Sequence, residues 1–192
     1  MKQSIAMEVA DEIIGLYISY GHQDYIGEPV SQIEHMCQCA QLAEIGNYDY
    51  EVILAAFFHD IGHLCEHIMD VDFMDGYGIV DHEKIGAAYL KSKGFSKRIT
   101  RLIASHVEAK HYLTFKNPEY YKQLSDASKR TLNFQGGPMD EKEAKDFEKD
   151  EWFPLYITLS EWYEKAKVEH IPLPDFGRYR LMMIQHLTQN KN

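Results

Sequence analysis

Histidine is the residue type most suited to chemistry in this chain, which contains ten histidines among its 192 residues. Histidine is the commonest metal ligand and the usual acid-base group near neutral pH. The densest cluster runs from His59 to His63, with Asp60 directly after His59, at the end of an almost wholly apolar stretch. Polar side chains in such a place are costly unless something satisfies them. A carboxylate has two oxygens, so Asp60 can bridge two metals, but satisfied core histidines and a capping aspartate explain this run alone equally well.

Three further histidines favour the metal interpretation. His35, His82 and His106 each lie in an apolar, helix-like pattern in a different part of the chain. One inward histidine from each of several successive helices is how a helical bundle builds a metal site. Imidazole and carboxylate ligands suit iron, manganese and zinc alike, so the ligand types do not identify the metal.

The elements that must position these side chains are predicted to be helices throughout. Apolar residues recur every three or four positions, glycines and prolines separate the segments, and no persuasive strand alternation occurs. The sequence therefore predicts an all-α fold, a single domain spanning residues 1–192. The predicted helices are 5–20, 29–45 (opened by Pro29), 50–64, 81–93, 97–115, 125–134, a charged helix after the Asp140–Glu143 capping box, 155–168 and 175–188.

Composition restricts the partners. Lys plus Arg is 20 and Asp plus Glu is 30, giving a net charge of −10, which disfavours nucleic acid as a ligand. No apolar run is long enough to span a membrane, and the acidic N-terminal segment is unlike a signal peptide. Three cysteines without regular spacing give no disulfide framework and are expected in the core. We therefore expect a cytoplasmic protein, in which any anionic substrate needs a local positive site.

The ordered pattern H…HD…H…H resembles the HD-domain superfamily, from Tyr25 onward. Further segments are similar to one subgroup, the HD-domain phosphonate oxygenases. These segments are 24–28, 33–35, 76–78, 82–87, 106–110, 124–128 and 135–139. The resemblance implies a helical HD-domain bundle with a central dinuclear metal site.

The resemblance also implies a reaction. Two iron ions in the mixed-valence Fe(II)/Fe(III) state, with O2 as co-substrate, would cleave the C–P bond of a small 1-hydroxyphosphonate. A substrate such as 2-amino-1-hydroxyethylphosphonate would give phosphate and a carboxylic acid such as glycine. Manganese or zinc could occupy the site in purified protein.

The site residues that the resemblance implies fall into two groups. His35, His59 and Asp60 would bind the first iron, and Asp60 would bridge to a second iron completed by His82 and His106. The second group would bind the substrate. Tyr25 would lie on an iron until the substrate arrives, Glu28 would lie at the cationic end of the substrate, and His63 would lie near the hydroxyl or phosphonate as a hydrogen-bonding or acid-base group. The other members of this group would be Lys110, Ser128, Thr131 and Gln135.

Two of these assignments also have support from spacing. Lys110 lies one turn after His106 on the same helix face, where its ammonium can meet a phosphonate on the second metal. Ser128, Thr131 and Gln135 share one helical face, which in the family donates hydrogen bonds to the phosphonate. In isolation that face could equally be solvated.

One departure from the family concerns the last ligand of the first iron. The family has an aspartate there, and an ungapped match places Tyr163 at this position. Ser160 stands where an arginine commonly assists phosphonate binding. Tyr163 is therefore the candidate ligand, with Glu161, Glu164 or water as substitutes.

Two other functions remain open from the sequence. A metal-dependent HD phosphohydrolase would use a metal-bound hydroxide on a phosphoester and need no O2. A degenerate metal-binding HD protein is suggested by Tyr163 and Ser160, and would hold at most one metal tightly without turnover.

Overall fold

The computed structural model describes residues 1–25, 27–74 and 78–189. Within these ranges the chain is all helical, as predicted, and its extended pairing is confined to two isolated bridges. Ile26, Gly76 and Tyr77, which belong to segments compared above, lie outside the described residues. The helices are α1 (Gln3–Tyr20), α2 (Gln32–Ile45), α3 (Tyr50–Phe58), α4 (Ile61–Leu64), a 3-10 helix (Cys65–His67), α5 (His82–Ser92), α6 (Lys97–Ala104), α7 (His106–Lys116), α8 (Pro118–Gln123), α9 (Asp126–Phe134), α10 (Glu141–Phe147), α11 (Phe153–Lys165) and α12 (Gly177–Gln189).

Helix α3 lies at the centre of the bundle, in contact with α2, α6 and α12. Every side chain from Val52 to Phe58 is buried. Phe57 stacks between Tyr17 of α1 and Tyr179 of α12, with ring centroids 4.3 and 4.4 Å away. Burying each such side chain contributes roughly 1.5–3 kcal/mol. The apolar run thus fixes the position of the polar residues that follow it.

The predicted start of the second helix at Pro29 is wrong. Helix α2 begins at Gln32, because Ser31 and Glu34 form a capping box in which each side chain satisfies the other residue's backbone N–H. Pro29 lies in the bend before the helix. The described residues before α2 therefore form a loop, in which Asp24 and Ser31 make an isolated bridge, and Tyr25 lies against His35 of α2.

Two helices that the sequence predicts as continuous are interrupted. The predicted helix 50–64 ends at Phe58, and α4 starts after Asp60, whose φ of −104° and ψ of 12° leave the helical range. The predicted helix 97–115 breaks at Ser105, with φ −93° and ψ 0°. Each break adjoins residues predicted to bind metal, so the bends aim these side chains at the bundle centre. Helix α8 was not predicted.

Helices α4 and α5 approach closely at Gly62. A Cβ built on Gly62 would lie 1.9 Å from the backbone oxygen of His82. Backbone atoms cannot move aside cheaply, so Gly62→Ala is expected to lower the free energy of unfolding by about 3 kcal/mol or more. Gly15→Ala, at a helix position with no atom within 4 Å of the added methyl, should instead raise it by about 0.5–1 kcal/mol. Urea unfolding of both variants measures this, and equal stabilities would contradict the close approach.

The three cysteines are buried and free, as expected. None of the described helices has the length and apolar character needed to cross a membrane.

Candidate metal centre and substrate cavity

Asp60 lies between two pairs of histidines at the bundle centre. Its Oδ2 is 3.2 Å from Nε2 of His59 and 3.7 Å from Nε2 of His35. Its Oδ1 is 3.4 Å from Nε2 of His82 and 3.5 Å from Nε2 of His106. Each carboxylate oxygen therefore faces one imidazole pair, on four different helical segments.

Backbone hydrogen bonds orient three of these imidazoles. Nδ1 of His35, His59 and His106 lies 2.9 Å from the carbonyl oxygens of Ala166, Ala56 and Ile103, respectively. A carbonyl only accepts, so each Nδ1 carries the proton and each Nε2 presents a lone pair. Such second-sphere bonds to imidazole are typical of metal-binding histidines.

The Nε2 lone pairs that converge beside Asp60 favour a bound cation. Nε2 of His35 and His59 are 3.0 Å apart, and Nε2 of His82 and His106 are 2.9 Å apart. The tautomers leave no proton between His35 and His59, and Oδ2 of Asp60 is buried without a hydrogen-bond partner. Metal–ligand bonds of about 2.0–2.1 Å place neighbouring ligand atoms roughly 3 Å apart, which matches this spacing. The residues present therefore fit two metal ions that share Asp60.

The charge states also suit metal ligands. Burial disfavours ionisation of Asp60, yet the adjacent imidazoles of His59 and His82 hold its pKa well below the usual range. Burial lowers the pKa of His35 to about 3, and burial together with His82 holds the pKa of His106 well below its ordinary value. An ionised carboxylate beside the neutral imidazoles of His35 and His106 is a state that binds a cation.

A cavity of about 100 Å³ adjoins this cluster, so it accommodates only a small molecule. Of the residues predicted to form the site, His35 lies behind His59 and does not line the cavity, and Gln135 faces a neighbouring groove instead. The remaining predicted residues do line it: Tyr25, Glu28, His59, Asp60, His63, His82, His106, Lys110, Ser128, Thr131 and Tyr163.

Lys110 supplies a positive charge at this cavity. Its Nζ donates to Oγ1 of Thr131 at 3.2 Å, which joins α7 to α9. Burial lowers the pKa of Lys110 to about 8, opposed by the carboxylates of Glu164 and Asp60. The ammonium is therefore still the main form at neutral pH. It provides the local positive charge that an anionic ligand needs in this acidic protein.

His63 and Tyr25 flank the two histidine pairs. The ring of His63 stacks on His82 with centroids 4.1 Å apart, and burial lowers the pKa of His63 to about 3. The ring of Tyr25 stacks on His35 at 4.4 Å. Burial and the Asp60 carboxylate raise the pKa of Tyr25 well above its ordinary value. At neutral pH, both side chains are therefore uncharged hydrogen-bonding groups beside the cluster.

Lys167 is a cavity residue that sequence reasoning missed. Its Nζ lies 3.0 Å from Oε1 of Glu28 and 3.0 Å from Oε2 of Glu164, and all three residues line the cavity. The predicted helix 155–168 includes Lys167, but α11 ends at Lys165, so the predicted periodicity did not indicate where this side chain would lie. Tyr120 of α8, a helix that was not predicted, also lines the cavity.

Tyr163 lies against the first histidine pair. Its ring stacks on His59 with centroids 4.1 Å apart, and its hydroxyl is buried without a hydrogen-bond partner. Sγ of Cys39, one turn after His35, lies within 4.8 Å of ligand atoms of His35 and His59. Burial raises the pKa of Cys39 well above its ordinary value, so this thiol is protonated.

The other candidate site residues on α11 differ in whether they line the cavity. Ser160 and Glu164 line the cavity, and the Ser160 hydroxyl is buried without a partner. Glu161 is 58% exposed and faces Lys165 on the outer side of the helix. Glu164 is thus better placed than Glu161 to substitute for the family's aspartate.

Replacing Tyr163 by phenylalanine should keep the ring stacked on His59 while removing the unpartnered hydroxyl. If this oxygen is a metal ligand, we expect the first metal to bind about 10–100-fold more weakly, with unfolding stability of the metal-free protein unchanged or higher. Metal titration of the apoprotein measures this. Tyr156→Phe removes a hydroxyl from the same helix away from the cavity and should leave metal affinity unchanged. Equal affinities in both variants would exclude Tyr163 as a ligand.

Comparison with known proteins adds a family and several relatives. Residues 33–133 match the model of the HD domain. A [1-hydroxy-2-(trimethylamino)ethyl]phosphonate dioxygenase (glycine-betaine-forming) of Leisingera caerulea is 37% identical over 91% of this chain and 88% of that protein. A hydroxymethylphosphonate dioxygenase of Gimesia maris is 36% identical over 82% of this chain and 78% of that protein. An uncharacterized protein of Acanthamoeba polyphaga mimivirus is 42% identical over 94% of this chain and 82% of that protein.

Proposed function

The chain belongs to the HD domain family, and we propose that it is a dinuclear metal oxygenase that cleaves the C–P bond of a small 1-hydroxyphosphonate. One observation carries this proposal: Asp60 turns one oxygen to each of two histidine pairs beside a small cavity that contains Lys110. The two relatives named as phosphonate dioxygenases support it. The products would be phosphate and a carboxylic acid, and the reaction takes up one O2 for each C–P bond broken.

The proposed cofactor is a pair of iron ions in the mixed-valence state. His35, His59 and Asp60, with Tyr163 as the candidate last ligand, would hold one ion, and Asp60, His82 and His106 the other. When bound, iron supplies the electron exchange with O2 that the surrounding side chains cannot provide. The same donor atoms also accept manganese or zinc, so the protein as purified could carry these metals.

The cavity residues would bind and orient the substrate. Lys110 would pair with the phosphonate, and Ser128 and Thr131 would donate hydrogen bonds to its oxygens. His63 is neutral at pH 7 and would accept a hydrogen bond from the substrate hydroxyl. Tyr25 would lie against the metal cluster before substrate enters. The proposal leaves out Gln135, because its side chain faces the neighbouring groove.

An aerobic assay of the iron-loaded protein tests this function. The panel should contain hydroxymethylphosphonate, 1-hydroxyethylphosphonate and 2-amino-1-hydroxyethylphosphonate. We expect O2 uptake and phosphate release in equal amounts with at least one of them, and neither under anaerobic conditions. Turnover of phosphomonoesters without O2 would instead identify a phosphohydrolase, and no turnover with at most one bound metal would identify a degenerate metal-binding protein.

A further inference from the structure

The cavity wall contains a largely buried cation, the ammonium group of Lys167, paired with two carboxylates. Lys167 bridges Glu28 and Glu164 with Nζ–Oε distances of 3.0 Å each, and its side chain is only 14% exposed. The Glu28 side chain is 6% exposed. Ion pairs this far removed from water are much less screened than surface pairs.

The resemblance to the phosphonate oxygenases implies that Glu28 lies at the cationic end of the substrate. Here Oε1 of Glu28 accepts both from Lys167 and from the hydroxyl of Ser125, which lies 2.6 Å away. Ser125 is the N-cap of α9 and also accepts from the Ser128 N–H. The carboxylate is therefore held by donors of the protein itself.

The charges on this side of the cavity are balanced without a substrate cation. The carboxylates of Glu28 and Glu164 face the ammonium groups of Lys167 and Lys110, and Glu164 favours the charged form of both lysines. Lys110 donates to a neutral hydroxyl, so its charge remains available for a phosphonate. An incoming ammonium would have to displace Lys167 from a desolvated pair, which is strongly unfavourable.

We propose that Lys167 is a specificity-determining residue that excludes substrates bearing an ammonium group; this inference rests on the proposed function. The substrate would then be a 1-hydroxyphosphonate whose other substituent is hydrogen or an uncharged group. The names of the two dioxygenase relatives include one cationic and one uncharged substituent, and these relatives are almost equally similar to this chain. The proposed preference for an uncharged substituent therefore rests on Lys167. This preference departs from the amine-bearing substrate that the family resemblance implies.

A pair of nearly isosteric ligands tests this directly. The ligands are 1-hydroxypropylphosphonate and 2-amino-1-hydroxyethylphosphonate, which differ by a methyl against an ammonium group. Anaerobic calorimetry of the metal-loaded protein reports binding without turnover. We expect the wild-type protein to bind the propyl ligand about tenfold more tightly or better.

The double variant Lys167→Met/Glu164→Gln removes one charge of each sign and leaves Glu28 without its cation. Its preference should reverse by about tenfold or more in favour of the amino ligand. Lys165→Met, a matched change on the exposed side of the same segment, should keep the wild-type preference. An amino ligand that binds the wild type as tightly as the propyl ligand would overturn the proposal, as would an unchanged preference in the double variant.

A second measurement does not need phosphonate binding. Methylammonium should raise the melting temperature of Lys167→Ala, because it can replace the lost ammonium between Glu28 and Glu164. It should leave the wild type and Lys165→Met unchanged relative to potassium at the same ionic strength. If neither phosphonate binds the wild type, the proposed function fails, and this arm still decides the role of Lys167: no variant-specific stabilisation would overturn it.

Discussion

Replacing Asp60 by asparagine is expected to abolish the proposed dinuclear centre. An amide offers one neutral oxygen where the carboxylate offers two charged ones, and Oδ1 and Oδ2 of Asp60 face different histidine pairs. We expect metal content to fall from two ions to at most one per chain. Loss of metal charge stabilisation should lower kcat by about 100-fold or more. Elemental analysis and steady-state kinetics on the same preparation measure both effects.

Asp146→Asn provides the matched control, because Asp146 is a surface carboxylate paired with Lys142 and Lys149. It should retain two metals and full activity. If Asp60→Asn still holds two ions with wild-type affinity, the carboxylate does not bridge them.

Lys110→Met is expected to have the next largest effect, through loss of the cation that is proposed to bind the phosphonate. A hydrogen bond to a charged group contributes about 1.5–3 kcal/mol, which corresponds to roughly a 10- to 150-fold lower kcat/KM. Methionine keeps much of the buried volume, so the fold should persist. Lys116→Met, on the exposed part of the same helix, should leave kcat/KM unchanged.

The same residue predicts a pH dependence. Burial lowers the pKa of Lys110 to about 8, so its positive charge is present below this pH and is lost above it. Accordingly, kcat/KM should fall toward a tenfold loss per pH unit above about 8. This decrease of kcat/KM above about pH 8 should be missing in Lys110→Met. A decrease of the same shape in that variant would assign the pH dependence to another titrating group.

The cluster of histidines around Asp60 could be predicted from the sequence because its pattern is local and repeated. His35, His82 and His106 each lie in an apolar helical stretch, and Asp60 directly follows His59, so burial and chemistry pointed to the same side chains. The geometry now brings these five residues together around the Asp60 carboxylate.

The bends beside the ligands could not be predicted. Apolar periodicity continues through 50–64 and 97–115, and nothing in it reveals that the helices are interrupted at Asp60 and Ser105. Tertiary packing overrides local propensity there. Of the three α9 residues predicted to share one face, Ser128 and Thr131 line the cavity, whereas Gln135 lies at the helix end and lines another groove.

Lys167 marks the limit of pattern reasoning most clearly. It lies after the last turn of α11, and its partners Glu28 and Glu164 come from a loop near the N-terminal end of the chain and from that helix. A cluster assembled from such distant segments depends on the fold as a whole. The resemblance to the family identified Glu28, but not the cation that holds it.

Oxygen-isotope labelling tests the central claim most directly. The iron-loaded protein is supplied with a turned-over 1-hydroxyphosphonate under ¹⁸O2 in unlabelled water, and the products are analysed by mass spectrometry. An oxygenase requires one atom of ¹⁸O in the carboxylate product, since its other oxygen comes from the substrate hydroxyl. Products that carry oxygen from water alone, with the same yield when O2 is absent, would contradict the proposed oxygenase and identify a hydrolase.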